Sequence, residues 1–264
     1  MQLNLAGKTV IVTGAGSNIG RAIALAFARE QSNVVVAEID ETQGGKTAAE
    51  AAALGTQALA VRTDVTRWDS VQAMVRAVEE RFGRVDVLVN NVGWTRDALF
   101  VDKPHEEWER EIQLNLWGMI HGTRAVLDGM IARKGGAIVS MGSDAGRMGE
   151  FREGVYGACK AGVIALSKSI AREVGKYGIR LNVVCPGMTM PKTDEEIGEL
   201  SMWQAQENRA WMTPEMQARI AKVYPLRRVA TPEDVTGAVI FLASDAASFV
   251  TGQTLSVSGG YTMM

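Results

Sequence analysis

Two cysteines, Cys159 and Cys185, and two histidines, His105 and His121, are all that 264 residues offer of the side chains that build disulfide frameworks and zinc sites. No H-E-x-x-H accompanies the histidines, so no metal site and no metalloenzyme is expected. No apolar run approaches the roughly 18 residues that cross a bilayer. The first residues, Met1-Gln2-Leu3-Asn4-Leu5-Ala6-Gly7-Lys8, lack the apolar stretch of a secretory signal, so the expectation is a cytoplasmic protein with no membrane partner. A basic excess is missing too. Lys plus Arg number 28 against 30 Asp plus Glu, a net charge of −2, which argues against nucleic acid as a partner. What is present is the composition of an ordinary globular chain, 47% hydrophobic and 22% charged.

Short runs rich in Val, Ile and Leu recur at 9–13, 33–37, 58–62, 85–90, 137–141, 180–185 and 254–257. They are mostly unbroken rather than alternating, as strands buried on both faces of a parallel sheet are. Helical stretches separate them at 18–30, 42–54, 68–82, 105–133, 155–176 and 232–244. The alternation predicts an α/β fold, a Rossmann-type doubly wound parallel sheet of about seven strands with helices on both faces. No linker or repeat divides the chain, so one domain is expected over 1–264. One stretch breaks the rhythm. Residues 188–226 hold no strand but carry Met188, Met190, Met202, Trp203, Trp211, Met212 and Met216, which reads as a helical substrate lid beside the C-terminal edge of the sheet.

Thr13-Gly14-Ala15-Gly16-Ser17-Asn18-Ile19-Gly20 follows the first strand and opens the first helix. Glycines let the chain turn tightly and let backbone N–H groups approach a pyrophosphate, and the helix N-terminus adds positive charge. Gly14, Ser17, Asn18, Ile19 and Gly20 are therefore candidates for binding a dinucleotide. No Gly-Lys-Ser/Thr follows, which excludes a Walker loop. Eighteen residues beyond Gly20, Glu38 ends the second strand, where a carboxylate can accept both ribose hydroxyls of NAD and would repel a 2′-phosphate. Neither Ser17 nor Ile39 is the Lys or Arg that such a phosphate would need, so NAD is expected over NADP.

Five further motifs follow in order: Asn90-Asn91-Val92-Gly93, Asn115, Ser143, Tyr156-Gly157-Ala158-Cys159-Lys160 and Pro186-Gly187. With the glycine loop, and over essentially the whole chain, they resemble the short-chain dehydrogenase/reductase family. The resemblance implies a catalytic tetrad of Asn115, Ser143, Tyr156 and Lys160. It implies an adenine contact at Asp64 and Val65, a sheet-bracing role for Asn90, and cofactor contacts at Asn91, Tyr156, Lys160, Pro186, Gly187 and Thr189. It also implies a homotetramer formed through the two long helices and the C-terminal strand. Three positions depart from the family pattern. Asn18 replaces the middle glycine of the loop, a change that Asn can tolerate in left-handed geometry with some loss of binding. Val92 replaces the usual Ala. Pro191 stands where a Thr commonly meets the nicotinamide carboxamide, leaving Thr189 or Thr193 to replace it.

The chemistry is consistent with these residue types. Tyr156 and Lys160 are spaced i, i+4 and so share a helix face. A free phenol has a pKa of about 10, and one ammonium about 4 Å away contributes roughly 4 kcal/mol at an effective dielectric near 20, enough to lower it by about 3 units. The oxidised nicotinamide would add to this. Tyr156 would then serve as general base and acid, Ser143 would steady charge on the substrate oxygen, and Asn115 would pin a water relaying protons from Lys160.

Trp94, Phe100, Met148, Phe151 and Trp203 suggest pocket walls for a bulky apolar substrate, alicyclic or aromatic. Arg96, Arg147 and Arg152 are candidate partners for an anionic group. Several stretches, among them Asn91-Val92-Gly93-Trp94 and Ser143-Asp144-Ala145-Gly146-Arg147, are similar to 2-hydroxycyclohexanecarboxyl-CoA dehydrogenases. The expected activity is NAD-dependent interconversion of a secondary alcohol and a ketone, such as a cyclic hydroxyacyl-CoA. The rivals are a 3-oxoacyl carrier-protein reductase, a simple cyclic or aryl alcohol dehydrogenase and, in another class, a non-catalytic NAD-binding subunit.

Overall fold

Seven parallel strands run through the centre of the molecule in the order β3-β2-β1-β4-β5-β6-β7. They are β1 (Thr9–Thr13), β2 (Asn33–Glu38), β3 (Ala58–Arg62), β4 (Val87–Asn90), β5 (Gly136–Met141), β6 (Ile179–Pro186) and β7 (Thr254–Val257). The computed structural model describes residues 2–194 and 197–263. Successive side chains of a strand point to opposite faces, and the two cores show it. Val10, Val12, Val34 and Val36 meet α1 (Asn18–Arg29) and α10 (Pro232–Ala243) on one face. Ile11, Val35, Leu88 and Ile138 meet α3 (Trp68–Phe82), α5 (Gly118–Arg133) and α7 (Gly154–Val174) on the other. Strands so covered must be apolar on both sides, which is why their sequences are unbroken hydrophobic runs.

Three details differ from the expected elements. The helix expected over 105–133 is interrupted. It comprises α4 (His105–Ile112), a π-helical turn Gln113–Trp117, and α5. Asn115 sits on that turn and is buried. A short helix α6 (Ala145–Met148) follows β5. The Met- and Trp-rich stretch 188–226 contains α8 (Gln206–Arg209), α9 (Pro214–Ala221) and short 3-10 turns. Within it Met190, Ile197 and Trp203 form a small core of their own.

The strand order reverses between β1 and β4, and there the carboxyl ends of the strands open a crevice. Asn90, at the end of β4, donates to Thr123 Oγ1 at 3.1 Å and Ser140 Oγ at 3.2 Å, tying β4 to α5 and β5 below that crevice.

Candidate active site

The crevice is a cleft of about 790 Å³. At one end lies the glycine loop. Gly14 has φ +62°, a left-handed conformation that favours glycine, and a Cβ on Gly20 would strike the Gly14 carbonyl. Asn91 fixes this turn, its Nδ2 donating to the carbonyls of Thr13 and Gly14, both at 3.0 Å. Asn18, in the cleft lining, adopts φ +45°, as its substitution for glycine demands, and its buried Oδ1 has no hydrogen-bond partner among the described residues. Ser17 caps α1 in extended conformation without a side-chain bond, and no acidic residue occupies the first turn. The first turn of α1 thus carries no negative charge of its own and borders the cleft, an arrangement suited to a pyrophosphate. Glu38 Oε2 accepts from the Gly16 N–H at 2.9 Å and Oε1 from Ile39 at 2.8 Å. Oε1 also accepts from the Asp40 N–H at 3.3 Å, so Oε2 is the oxygen that keeps a lone pair for another donor. Asp64, Val65, Pro186, Gly187 and Thr189 also line the cleft, the Thr189 hydroxyl donating to the Gly187 carbonyl at 3.1 Å. Thr193 is not in the lining. The loop, the free helix end and the orphaned Asn18 oxygen together fit a dinucleotide.

At the other end Ser143, Tyr156 and Lys160 converge. The Ser143 side chain is close enough to the Tyr156 phenol to favour its ionised form, and the Lys160 Nζ lies 5.5 Å from the centre of the Tyr156 ring while donating to the Met141 carbonyl at 2.9 Å. The electrostatics differ from the expectation that the ammonium dominates. Burial pushes the Tyr156 phenol above its ordinary value, the nearby Glu153 carboxyl adds to this, and the Ser143 side chain works against it. Burial also lowers Lys160 to about 8. The physical reason is that both groups are desolvated together, so the lysine pays for its own charge before it can stabilise another.

Asn115 is placed differently from the rest of the expected tetrad. It does not line the cleft, and its amide is fully engaged by backbone: Oδ1 accepts from Trp94 N–H at 3.0 Å, and Nδ2 donates to the carbonyls of Trp94 and Glu111, both at 2.8 Å. A cavity of about 10 Å³ separates it from Lys160, with Thr13, Asn90 and Met141 among its walls. That is close to the smallest space that holds one water.

The expected substrate walls divide. Trp94 and Trp203 line the cleft and are buried, and Phe151 lines its mouth, 73% exposed. Met148 does not belong to it. The α6 helix turns its side chain toward the C-terminal segment, where the Thr262 hydroxyl lies 3.2 Å from its sulfur. Phe100 instead stacks on Trp108 with ring centres 4.9 Å apart. Arg152 lines the cleft, Arg147 does not, and Arg96 is held by Glu107 at 2.8 Å and Glu207 at 3.0 Å.

Several residues went unread in the sequence. Arg110 lies 4.0 Å over the Trp94 ring. Lys103 and Glu111 form a buried ion pair at 2.5 Å, and Thr95 donates to the same carboxylate oxygen at 2.7 Å. Asn208 donates to the Thr95 carbonyl at 3.1 Å and accepts from Asp97 N–H at 3.3 Å, fastening the 188–226 stretch to the loop after β4. Glu153 lines the cleft three residues before Tyr156. Only the i, i+3 spacing of Glu153 and Tyr156 was a usable signal. The others depend on loops that meet only in the fold.

Comparison with known proteins agrees with this geometry. A family described as enoyl-(acyl carrier protein) reductase matches residues 14–262. The short chain dehydrogenase/reductase astE of Aspergillus oryzae is 40% identical, over 100% of this chain and 98% of the relative. A 3-oxoacyl-[acyl-carrier-protein] reductase of Vibrio cholerae is 37% identical over 99% of this chain and 100% of its own length. The solved structure of a 7 alpha-hydroxysteroid dehydrogenase, complexed with NADH and 7-oxo glycochenodeoxycholic acid, superposes with a TM-score of 0.86 and 34% identity, covering 97% of this chain and 94% of that one. The chain belongs to the short-chain dehydrogenase/reductase family and is a nicotinamide-dependent oxidoreductase.

Proposed function

We propose that the protein interconverts a bulky alicyclic or aryl secondary alcohol and its ketone with NAD, using Tyr156 as general base and acid. The observation that carries this reading is the convergence of Tyr156, Ser143 and Lys160 on one wall of a cleft whose far end holds the glycine loop and Glu38. A bound nicotinamide supplies the hydride acceptor for alcohol oxidation and the donor for ketone reduction. Tyr156 takes the hydroxyl proton of the alcohol. Ser143 donates to the substrate oxygen, Lys160 holds the nicotinamide ribose, and its ammonium together with the cofactor's positive charge offsets the cost of a buried phenolate. Asn115 acts by fastening Trp94 and framing the water-sized cavity beside Lys160. Among the described residues of the 188–226 stretch, Met202, Trp203 and Trp211 wall the substrate end, and Gly198 lies over Ser17 and Gln43 beside the glycine loop.

NAD is favoured because the cations of the described lining are Arg110, Arg152 and Lys160, all toward the substrate end, whereas Glu38 and Asp40 stand beside the glycine loop. A 2′-phosphate would meet carboxylates there. The structural relative solved with NADH and a 7-oxo bile acid derivative supports both the cofactor and a bulky ring ketone. The substrate end sets Asp97, Glu150 and Glu153 against two guanidinium groups, which favours a substrate without a phosphate-bearing carrier. The carrier-protein reductase relatives sustain a second reading, reduction of a 3-oxoacyl thioester. No helix of the described residues is long and apolar enough to cross a membrane. The exposed apolar groups Ile112 and Trp117 near α4 and α5, with Phe249 and Met263 toward the C-terminus, support a homotetramer.

The test is cofactor reduction with a panel of cyclic and aryl secondary alcohols, comparing kcat/KM for NAD and NADP. Turnover with NAD and ring alcohols supports the reading. A preference for NADP with 3-oxoacyl thioesters transfers the assignment to the second one, and tight NAD binding without turnover of any alcohol or ketone points to a non-catalytic subunit.

A further inference from the structure

Three carboxylates border the substrate end of the cleft, and two of them are already engaged. Asp97 Oδ2 accepts from the Trp211 indole N–H at 2.8 Å. Glu150 accepts from the Tyr261 hydroxyl at 2.9 Å and from the Phe151 N–H at 3.0 Å. Glu153 is different. It sits at the N-cap of α7, one turn before Tyr156, and its carboxyl has no hydrogen bond or ion pair among the described residues. The same cleft carries aromatic side chains, with Trp94, Phe151, Trp203 and Trp211 in its lining. A half-buried carboxyl that lines an aromatic cleft without a protein partner among the described residues is free to accept from a ligand's N–H. Aromatic faces and carboxylates together attract a cation.

We propose that Glu153 is a specificity-determining substrate contact, and that the alcohol or ketone accepted by this enzyme carries a protonated amine on its ring, whose N–H donates to the Glu153 carboxylate. This rests on the reading of the cleft as an alcohol dehydrogenase site and names the substrate class for it. The Glu153 carboxyl is pushed up to about 8 by burial and by the Asp97 and Glu150 carboxylates, with Glu111 adding and Lys103 opposing. The other charged or titratable neighbours are Tyr156 one turn along α7 and Arg152, whose guanidinium donates to the Asp97 carbonyl at 3.4 Å. At neutral pH the empty site therefore holds its proton. A cation seated on it stabilises the carboxylate and drives the proton off, so affinity for the amine rises with pH between 6 and about 8 and binding releases a proton.

The experiment has two arms on the full chain. In the first, cyclohexylammonium and cyclohexanecarboxylate are titrated calorimetrically at pH 7 in the presence of NAD, in two buffers of different ionisation enthalpy. In the second, kcat/KM is compared for 4-aminocyclohexanol and 4-hydroxycyclohexanecarboxylate. Both arms are run on the wild type and on Glu153→Gln. The expected result is a preference for the ammonium probe of about tenfold or more, with proton release on binding, and collapse of both in the variant. A purely structural role would scale both probes alike and leave their ratio fixed. Equal or better binding of the carboxylate, an unchanged ratio in Glu153→Gln, or binding without proton release overturns the proposal. Selective ammonium binding with proton release but no turnover would uphold the Glu153 contact and overturn the dehydrogenase reading instead.

Discussion

Both backbone polar groups of Trp94 are held by one side chain, that of Asn115, at 3.0 Å for the N–H and 2.8 Å for the carbonyl. The π-helical turn Gln113–Trp117 brings the amide to this position, and the same amide reaches back to the Glu111 carbonyl. A residue on one wall of the cleft is thereby locked to the helix behind it. Asn115→Ala leaves buried donors and acceptors unmatched and should cost about 2–4 kcal/mol of stability. Denaturant midpoints measure the loss. An unchanged midpoint would show that the contact is dispensable.

Tyr156→Phe removes the proton acceptor while keeping the ring. kcat for alcohol oxidation should fall by about 10²–10⁴, and the Kd for NAD should stay within a few-fold. Pre-steady-state measurement of cofactor reduction separates chemistry from release, and near-normal single-turnover rates would remove the proposed base.

Glu38 sits against the Gly16 N–H, and in the proposed binding mode it stands beside the adenosine ribose, where its charge opposes a 2′-phosphate. Glu38→Gln combined with Ile39→Arg should raise the ratio of kcat/KM for NADP over NAD by about tenfold or more, equivalent to about 1.4 kcal/mol. A ratio that does not move would place the source of cofactor choice elsewhere.

Lys103 and Glu111 are sealed from solvent and paired through Glu111 Oε1, while Oε2 is buried without a partner among the described residues. Lys103→Met alone should cost about 3–5 kcal/mol, because it strands a buried carboxylate. Lys103→Met with Glu111→Leu should recover much of that. Thermal unfolding of the two single variants and the double variant closes the cycle, and simple additivity would contradict a coupled pair.

Glu153 also makes stability depend on pH. Its folded value of about 8 lies above the ordinary carboxyl value of 4.5, so between these limits the folded chain retains a proton that the unfolded chain has released. Stability contributed by the neutral carboxyl is then full below about 4.5 and is lost as the pH rises through 8. Glu153→Gln should match the wild type near pH 4 and become progressively more stable than it up to pH 8, the gap growing by at most about 1.4 kcal/mol per unit. Parallel Tm-against-pH curves for the two proteins would refute this.

The sheet was plain in the sequence because its strands carry one unambiguous signature. Residues such as Val34-Val35-Val36 face helices on alternate sides, and a short β-branched run of that kind between helical stretches is the pattern of a doubly covered strand. The glycine loop was legible for the same local reason, since Gly14 and Gly20 are demanded by turn and close approach. Asn115 was placed on a helix but not on a π-turn, because Gln113-Leu114-Asn115-Leu116-Trp117 has the propensities of an ordinary helix and the extra residue per turn is imposed by the bonds to Trp94. Met148 was misassigned because its sequence distance from Ser143 says nothing about which side of α6 it leaves from. The raised carboxyl of Glu153 was out of reach for another reason: the foremost of the carboxylates acting on it, Asp97, lies more than 40 residues away.

The fastening of Asn208 to Thr95 and Asp97, with Trp211 on the Asp97 carboxylate and Arg96 on Glu207, makes the two sides of the substrate entrance one mechanical piece. Neither side can swing alone without tearing a row of polar contacts that includes the buried amide of Asn208. On the proposed reading of this cleft, opening of that side proceeds by the joined piece lifting as a unit, a step distinct from the chemistry and able to limit turnover.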